Sequence, residues 1–520
     1  MATAETEITL RTLADQMPIL QVLIPFMAAP IIVVIGSRAL AWPLAFVASV
    51  LSLIVSLILL GNVSDGGLLS YQLGGWAPPL GIEYRIDATN AIILFLSSLM
   101  SVVALLFSRD SIAHEVSRKS HTLFYACYML CVTGLLGVVI TGDAFNVFVF
   151  LEISSLSTYV LIAAGAERDK RALTAAFDYL ILGTIGATFF VIGLGMLYMV
   201  TGTLNMADLA VRIADLGDNR TVLAAFVFIL VGMALKAAAF PLHLWLPNAY
   251  THAPSAVTVF LAATATKAAV YVLLRFLFSV FTPAFEFEVR TLTYVLMPIA
   301  VIAMFAASFV AVFQSDFKRM LAYSSLAQIG YMLLGITMMN ASGLTASIVH
   351  MFNHGITKGL LFMTVGAFVL RAGGSFYSQI EGLGRRMPVT GAALVVGGLS
   401  LIGVPGTAGF VSKFVLMQGA FENGHWWLAI LIVMSSLIAV VYVWRVVEVL
   451  YTRPAPEGST ATEAPFGMLF PMILLAVACI WFGIDTDLTI GVATTAADGL
   501  LAGPIPIDPL PPIKGGGDGH

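Results

Sequence analysis

Five ionisable side chains stand inside long apolar runs of this sequence: Glu152, Lys236, Lys267, Lys358 and Lys413. A charge at the centre of a lipid bilayer costs roughly 2.5–3.5 kcal/mol on insertion scales, and residues that persist there mark ion or proton paths. Two histidines join them. In HMFNHGITKGLLF, His350, His354 and Lys358 follow at i, i+4 and i+8. That spacing stacks three protonatable groups on one helix face over a rise of about 12 Å. Histidine titrates near neutrality without help, which suits proton transfer. Glu152, in FNVFVFLEISSLSTYVLIA, is the only carboxylate well inside an apolar run. A buried carboxylate needs a cation or takes up a proton, and Lys236 is the candidate partner.

Lys267 lies in ATATKAAVYVLLR and Lys413 in IGVPGTAGFVSKFVL. Tyr323, Ser324, Ser325 and Gln328 could hold water beside Lys413, although hydroxyls in membrane helices often bond to their own backbone. Arg275, eight residues beyond Lys267, reads as a structural residue that snorkels to a membrane boundary. His243 and His252, in HLWLPNAYTHAPS, are candidates for proton uptake at the inner surface, with interfacial packing as the equal alternative. The competing reading of the whole set is a static group of ion pairs that lock helices together.

These residues need a membrane to sit in, and the composition supplies one. The chain has 520 residues, 59% hydrophobic and 10% charged, with mean hydropathy +0.96. Soluble proteins carry about 25% charged residues. A net charge of −4 leaves no basic footprint for nucleic acid. Runs long enough to cross a core about 30 Å thick fall at 19–35, 39–60, 91–107, 122–140, 145–164, 179–200, 222–240, 255–278, 293–313, 320–338, 345–370, 391–421, 426–449 and 466–482. The fold class expected is therefore an all-α polytopic membrane protein of about 14 helices. Residues 1–18 are polar and slightly acidic rather than basic, so the first span is expected to be retained. Loop 62–90 reads as a Gly/Pro-rich external cap, and the tail 503–520 as loose.

Alternating the loops puts fourteen Lys and Arg residues on one side and six on the other, with the last five inside spans. The positive-inside rule then places both termini on the outer face. Two spans carry Pro and Gly beside a lysine, span 7 in GMALKAAAFPLHLWLP and span 12 in IGVPGTAGFVSKFVL. Paired interrupted helices point to inverted repeats around a central ion path. Five spans separate them, which suggests repeats of spans 4–8 and 9–13, at about 122–278 and 291–450 in one membrane domain.

Standard site chemistry is missing. The histidines lack zinc-protease spacing, no Gly-rich phosphate loop precedes a Lys-Ser/Thr pair, and no facing histidines suggest haem. Cys127, Cys131 and Cys479 lie in helices and read as small packing residues. No catalytic residue, cofactor or metal site is expected.

Four stretches carry a resemblance: FNVFVFLEISSLSTYVL, ALKAAAFPLHLWLPNAYTHAPSAVTVFLAATATKAAVY, SSLAQIGYMLLG and HMFNHGITKGLLF. Together they resemble the antiporter-like subunits shared by respiratory complex I and Mrp-type cation/proton antiporters, over roughly residues 70–450. The resemblance implies fourteen helices with inverted repeats, Glu152 paired with Lys236, and Lys267 as the central relay group. It also implies that His350, His354 and Lys358 extend the path and that Lys413 faces the far side. In length and in Lys413 the chain most resembles the Mrp-type members. The expected function is proton translocation along a Lys/Glu/His relay in a multisubunit Na+/proton antiporter of the plasma membrane, beside other subunits. The alternative is a proton-pumping subunit of a redox-driven complex of the NADH dehydrogenase or hydrogenase type, its electron chemistry held by partners.

Overall fold

The structure is a computed structural model that describes residues 14–217, 219–282, 285–455 and 461–503. The tail expected to be loose lies outside the described residues beyond Gly503.

Among the described residues, twelve helices are long and apolar enough to cross a membrane. They are spans 1 (Ala14–Ile35), 2 (Arg38–Val63), 3 (Ala88–Glu115), 4 (His121–Ile140), 5 (Ala144–Glu167), 6 (Arg171–Thr201), 8 (Ser255–Phe281), 9 (Glu286–Val312), 10 (Phe317–Thr337), 11 (Ala341–Ala372), 13 (Trp426–Tyr451) and 14 (Phe466–Ile484). The two expected spans missing from that set are the two interrupted ones. Span 7 is Arg220–Lys236 followed by a short helix Trp245–His252, and span 12 is split into Pro388–Ile402 and Ala408–Glu422.

Both breaks satisfy the carbonyls they free, as hydrocarbon demands. After Lys236, Ala239 N donates to Ala234 O at 2.8 Å and Trp245 Nε1 to Leu235 O at 2.9 Å. In span 12, Gly403 turns out of the helix at φ 90°, a conformation open to glycine. The freed carbonyls of Leu401 and Ile402 accept from Lys413 Nζ at 3.2 and 2.8 Å.

The two halves repeat one packing order. Spans 4 and 5 pack together, then 5 and 6, then 6 and 7, and span 8 returns to touch spans 7 and 4. Spans 9 to 13 do the same, with span 13 returning to spans 12 and 9. One backbone device recurs as well. Asp143 caps span 5 and bridges to Asn205 after span 6, through Ala144 N to Leu204 O at 2.8 Å and Met206 N to Gly142 O at 3.0 Å. Asp316 caps span 10 and bridges to Phe376 after span 11, through Phe317 N to Ser375 O at 2.9 Å and Tyr377 N to Ser315 O at 3.0 Å. Because five spans separate them, the two bridges lie on opposite membrane faces, as inversion requires.

Two elements differ from expectation. Within loop 62–90, β1 (Leu69–Gln72) pairs antiparallel with β2 (Glu83–Ile86), so a small hairpin caps one face. A final helix, Asp487–Leu501, packs on spans 3 and 11; its run of Thr, Gly and Ala dilutes the hydropathy by which a span is read. Spans 3 and 6 also outrun their apolar windows, because helical hydrogen bonding continues past Arg109, Asp110 and Asp178 where hydropathy stops.

Spans 6 and 7 meet backbone to backbone. A Cβ on Gly232 would lie 2.6 Å from the Gly186 carbonyl oxygen, and one on Gly186 would lie 3.0 Å from that of Gly232. Such glycine crossings let membrane helices approach closely. Gly232→Val is expected to destabilise by about 1–3 kcal/mol through overpacking. A thermal melt of the detergent-purified protein reads this as a lower midpoint; an unchanged midpoint would show that the two helices part freely.

Candidate functional site

Lys236 is the last residue of its helix, so the ammonium sits at the negative end of that half-helix. Its Nζ donates to Ser155 Oγ at 2.5 Å and lies 3.7 Å from Glu152 Oε1. Among the described residues, Glu152 Oε1 has no hydrogen-bond partner. The expected pair is thus present but loose, and the lysine holds a neutral alternative within reach. Glu152 is also less enclosed than its apolar run suggested. Its side chain is 26% exposed against 8% for Lys236. It shares a flank of span 5 with exposed Phe145, Val149, Leu156 and Val160.

A cavity of about 30 Å³, enough for a single water, runs from Lys236 past Ser155 and Tyr179 to Ala265 and Ala268 of span 8. On that helix Lys267 is wholly buried, and its ammonium folds back onto the Ala262 carbonyl. No carboxylate among the described residues hydrogen-bonds to it.

The histidine stripe stands as spacing required. The rings of His350 and His354 stack with centroids 5.7 Å apart and planes 3° from parallel. The stripe then fans out. His350 Nδ1 meets Ser412 Oγ of span 12 at 2.7 Å, whereas Lys358 donates to the Leu321 carbonyl of span 10 at 2.8 Å and to Ser324 Oγ. Among the described residues, His354 between them finds no partner for either ring nitrogen, and Asn353 Oδ1 beside it is equally orphaned. Buried polar atoms are rarely left so, which marks this point as polar space that ordered water would fill. Lys267, Lys358, His350 and Lys413 all lie within electrostatic reach of His354.

Lys413 binds its own helix break, donates to Ser436 Oγ at 3.0 Å, and rests 4.8 Å from the Tyr331 ring centroid. It therefore holds helices as well as a charge. Ser324 and Ser325 both donate to Leu321 O, the backbone bonding anticipated for such hydroxyls.

The two uptake candidates separate. His252 lines a cavity of about 500 Å³ that opens among the arginine-rich loops, with Nδ1 3.1 Å from Asp169 Oδ2. Arg171, hydrogen-bonded to it, holds the Asp169 carboxyl down at about 2, so this residue stays charged at any physiological pH. His243 instead stacks on Phe240, its Nδ1 without a partner among the described residues, away from that cavity. Arg275 does not snorkel. It forms a buried bidentate pair with Asp87, both contacts 2.7 Å. Among the described residues, no three His, Cys, Asp or Glu side chains converge as for a metal.

The sequence profile of the NADH:quinone oxidoreductase/Mrp antiporter transmembrane family matches residues 141–439. The chain belongs to this family. Every residue of the buried line falls inside the matched region. NADH-quinone oxidoreductase subunit N of Desulforudis audaxviator is 38% identical over 91% of this chain and 96% of its own length. The D subunit of the Na(+)/H(+) antiporter of Bacillus subtilis is 28% identical over 93% and 97%. In the solved structure of the Mrp complex from Dietzia sp. DQ12-45-1b, one chain superposes with TM-score 0.85 at 26% identity, covering 94% of this chain and 98% of that one. The chain is thus an antiporter-like membrane subunit related to both kinds of assembly.

Sequence reading missed Ser155, Ser412, Ser436, Asn353 and Asp87. Ser155 had a usable signal, since it follows Glu152 by three residues and shares its helix face. The others carried none, because their partners come from spans distant in sequence.

Proposed function

We propose that this chain is the proton-translocating subunit of a multisubunit monovalent cation/proton antiporter, sited in the plasma membrane with both termini outside and exchanging protons against Na+. The observation that carries this reading is the buried set from Glu152 and Lys236 through Lys267 to the His350, His354, Lys358 and Lys413 group, with orphaned polar atoms at its centre. The repeats at about 122–278 and 291–450 position one half of it each.

The mechanism is electrostatic. Burial strips a lysine of proton affinity and a nearby carboxylate restores it. Lys236 beside Glu152 holds its proton; Lys236 turned to Ser155 gives it up towards Lys267. The exposed flank of Glu152 suits a neighbouring subunit, whose charge would set which of the two states prevails. His252 takes protons from the arginine-rich, inner-facing cavity. His252→Gln is expected to slow translocation a few-fold at pH 8, where free protons are scarce, and little at pH 6, where they are plentiful; burial holds this histidine below the usual imidazole range, so at the higher pH it stands neutral and ready to accept. Equal slowing at both pH values would remove it from the uptake path.

The test is a Na+ gradient imposed on vesicles containing the whole complex, with lumenal pH followed by a dye. An opposing pH change is expected, and its loss in Lys236→Ala vesicles of equal protein content. The 38% identity to subunit N supports one second reading, a proton-pumping subunit of a redox-driven complex. In that case an electron donor, and not Na+, would drive the pH change.

A further inference from the structure

Span 8, which carries Lys267, has a cavity at each end. The one already described adjoins its N-terminus at Ala253 and Pro254 on the arginine-rich face. The other, of about 120 Å³, lies at the opposite face, where Tyr271, Arg275 and Ser279 of span 8 meet Asp87 of span 3 and Thr495 of the final helix. At about 30 Å³ per water it holds several molecules. Lys267, Tyr271 and Arg275 follow at i, i+4 and i+8, one stripe climbing about 12 Å from the lysine to the cavity.

Resting on the relay reading above, we propose that this second cavity is the outer proton outlet of Lys267, and that the Arg275–Asp87 pair is the barrier at its floor. Four features converge. The cavity is roofed by Gly66, Gly67, Gly499 and Gly503, which leave room for water at the mouth. Its floor is polar: Arg275 Nε donates to Tyr271 Oη at 3.2 Å while both terminal nitrogens clamp Asp87. A fixed arginine in a narrow passage repels protons and cations, and it does not relay a proton itself because it does not deprotonate. The Lys267 ammonium is bonded to Ala262, five residues towards the inner end, so it rests away from the outlet. Loading therefore occurs with the side chain down. Release follows when it swings up towards the Tyr271 hydroxyl, which both accepts and donates. Protons would leave straight across the subunit along span 8, without travelling on to Lys413.

The experiment uses the whole complex in vesicles of known orientation. Ser279→Cys is treated with a membrane-impermeant sulfonatoethyl thiosulfonate, with the wild type as baseline for Cys127, Cys131 and Cys479. Labelling is expected from the outer face alone, and it should cut proton translocation at least about 5-fold. Labelling from the inner face, no labelling, or labelling with full flux overturns the outlet. If Ser279→Cys fails to assemble, Thr495→Cys at the mouth is read by the same two measures. The double variant Asp87→Asn/Arg275→Gln removes both charges of the barrier and keeps polar side chains at the two positions. It should raise passive leak of an imposed outer-acid gradient about 10-fold, and unchanged leak overturns the barrier. Lys267→Ala is run alongside. Normal flux there sinks the relay itself, whereas a dead Lys267→Ala beside a harmlessly labelled Ser279→Cys sinks only the outlet.

Discussion

Lys267→Arg should leave the complex assembled and lower proton translocation at least about 100-fold. The substitution separates charge from proton release. Arginine keeps the positive charge and the capacity to bond the Ala262 carbonyl, but it does not give up its proton in a protein. A relay site must empty on every cycle; a lysine that only ties helices need not. Lys267 has the surroundings of the first kind. It is fully buried, has no carboxylate in hydrogen-bond contact among the described residues, and lies within electrostatic reach of the unpartnered His354. The larger guanidinium costs about 1–3 kcal/mol of overpacking, so assembly is checked by gel filtration before flux is compared at equal protein. Retention of flux within a few-fold would mean that this lysine is a packing element. Lys413→Arg is the internal contrast, since an arginine there keeps the bonds to Leu401, Ile402 and Ser436 that hold span 12 together.

The polar residues that lead to this expectation were legible because a bilayer makes each charge conspicuous. Hydropathy located the spans and proline located both breaks. What hydropathy could not supply was direction. A stripe of His350, His354 and Lys358 fixes one helix face but not which neighbour each group meets, and the three turn to different spans. Glu152 looked enclosed because its neighbours in sequence are apolar. Those neighbours cover the outside of the subunit, and the carboxylate shares their face. Asp87 was invisible as the partner of Arg275, since it stands 188 residues away at the cap of another span.

One asymmetry between the repeats was written in the sequence and needed the bridges to be seen. Asp143 and Asp316 occupy equivalent places, and nine residues after each come Glu152 and Ser325. The second repeat therefore has serine where the first has its carboxylate. At this position only the first half sets an acid against the lysine of its broken helix, Glu152 against Lys236, while Lys358 has Ser324 and the Leu321 carbonyl. The Lys236 end has a loose acid and a hydroxyl within reach of one amine, whereas Lys358 and Lys413 are bonded to carbonyls and hydroxyls.

That difference sets the second large effect, at Lys236 and its two partners. Lys236→Ala is expected to abolish exchange, with at least about a 100-fold loss and normal insertion. Glu152→Gln should come close to it, and the double variant should be no worse than Lys236→Ala alone, because residues that act as one unit are not additive. Ser155→Ala discriminates further. It removes the 2.5 Å bond and leaves Glu152, at 3.7 Å, as the remaining partner. The lysine should then hold its proton longer, and turnover should fall about 10-fold while uptake at the first step persists. A static ion pair gives the opposite order: losing the serine costs one hydrogen bond, about 1 kcal/mol of stability, and turnover is unchanged. Flux and thermal midpoint measured on the same three preparations decide between a switch and a lock.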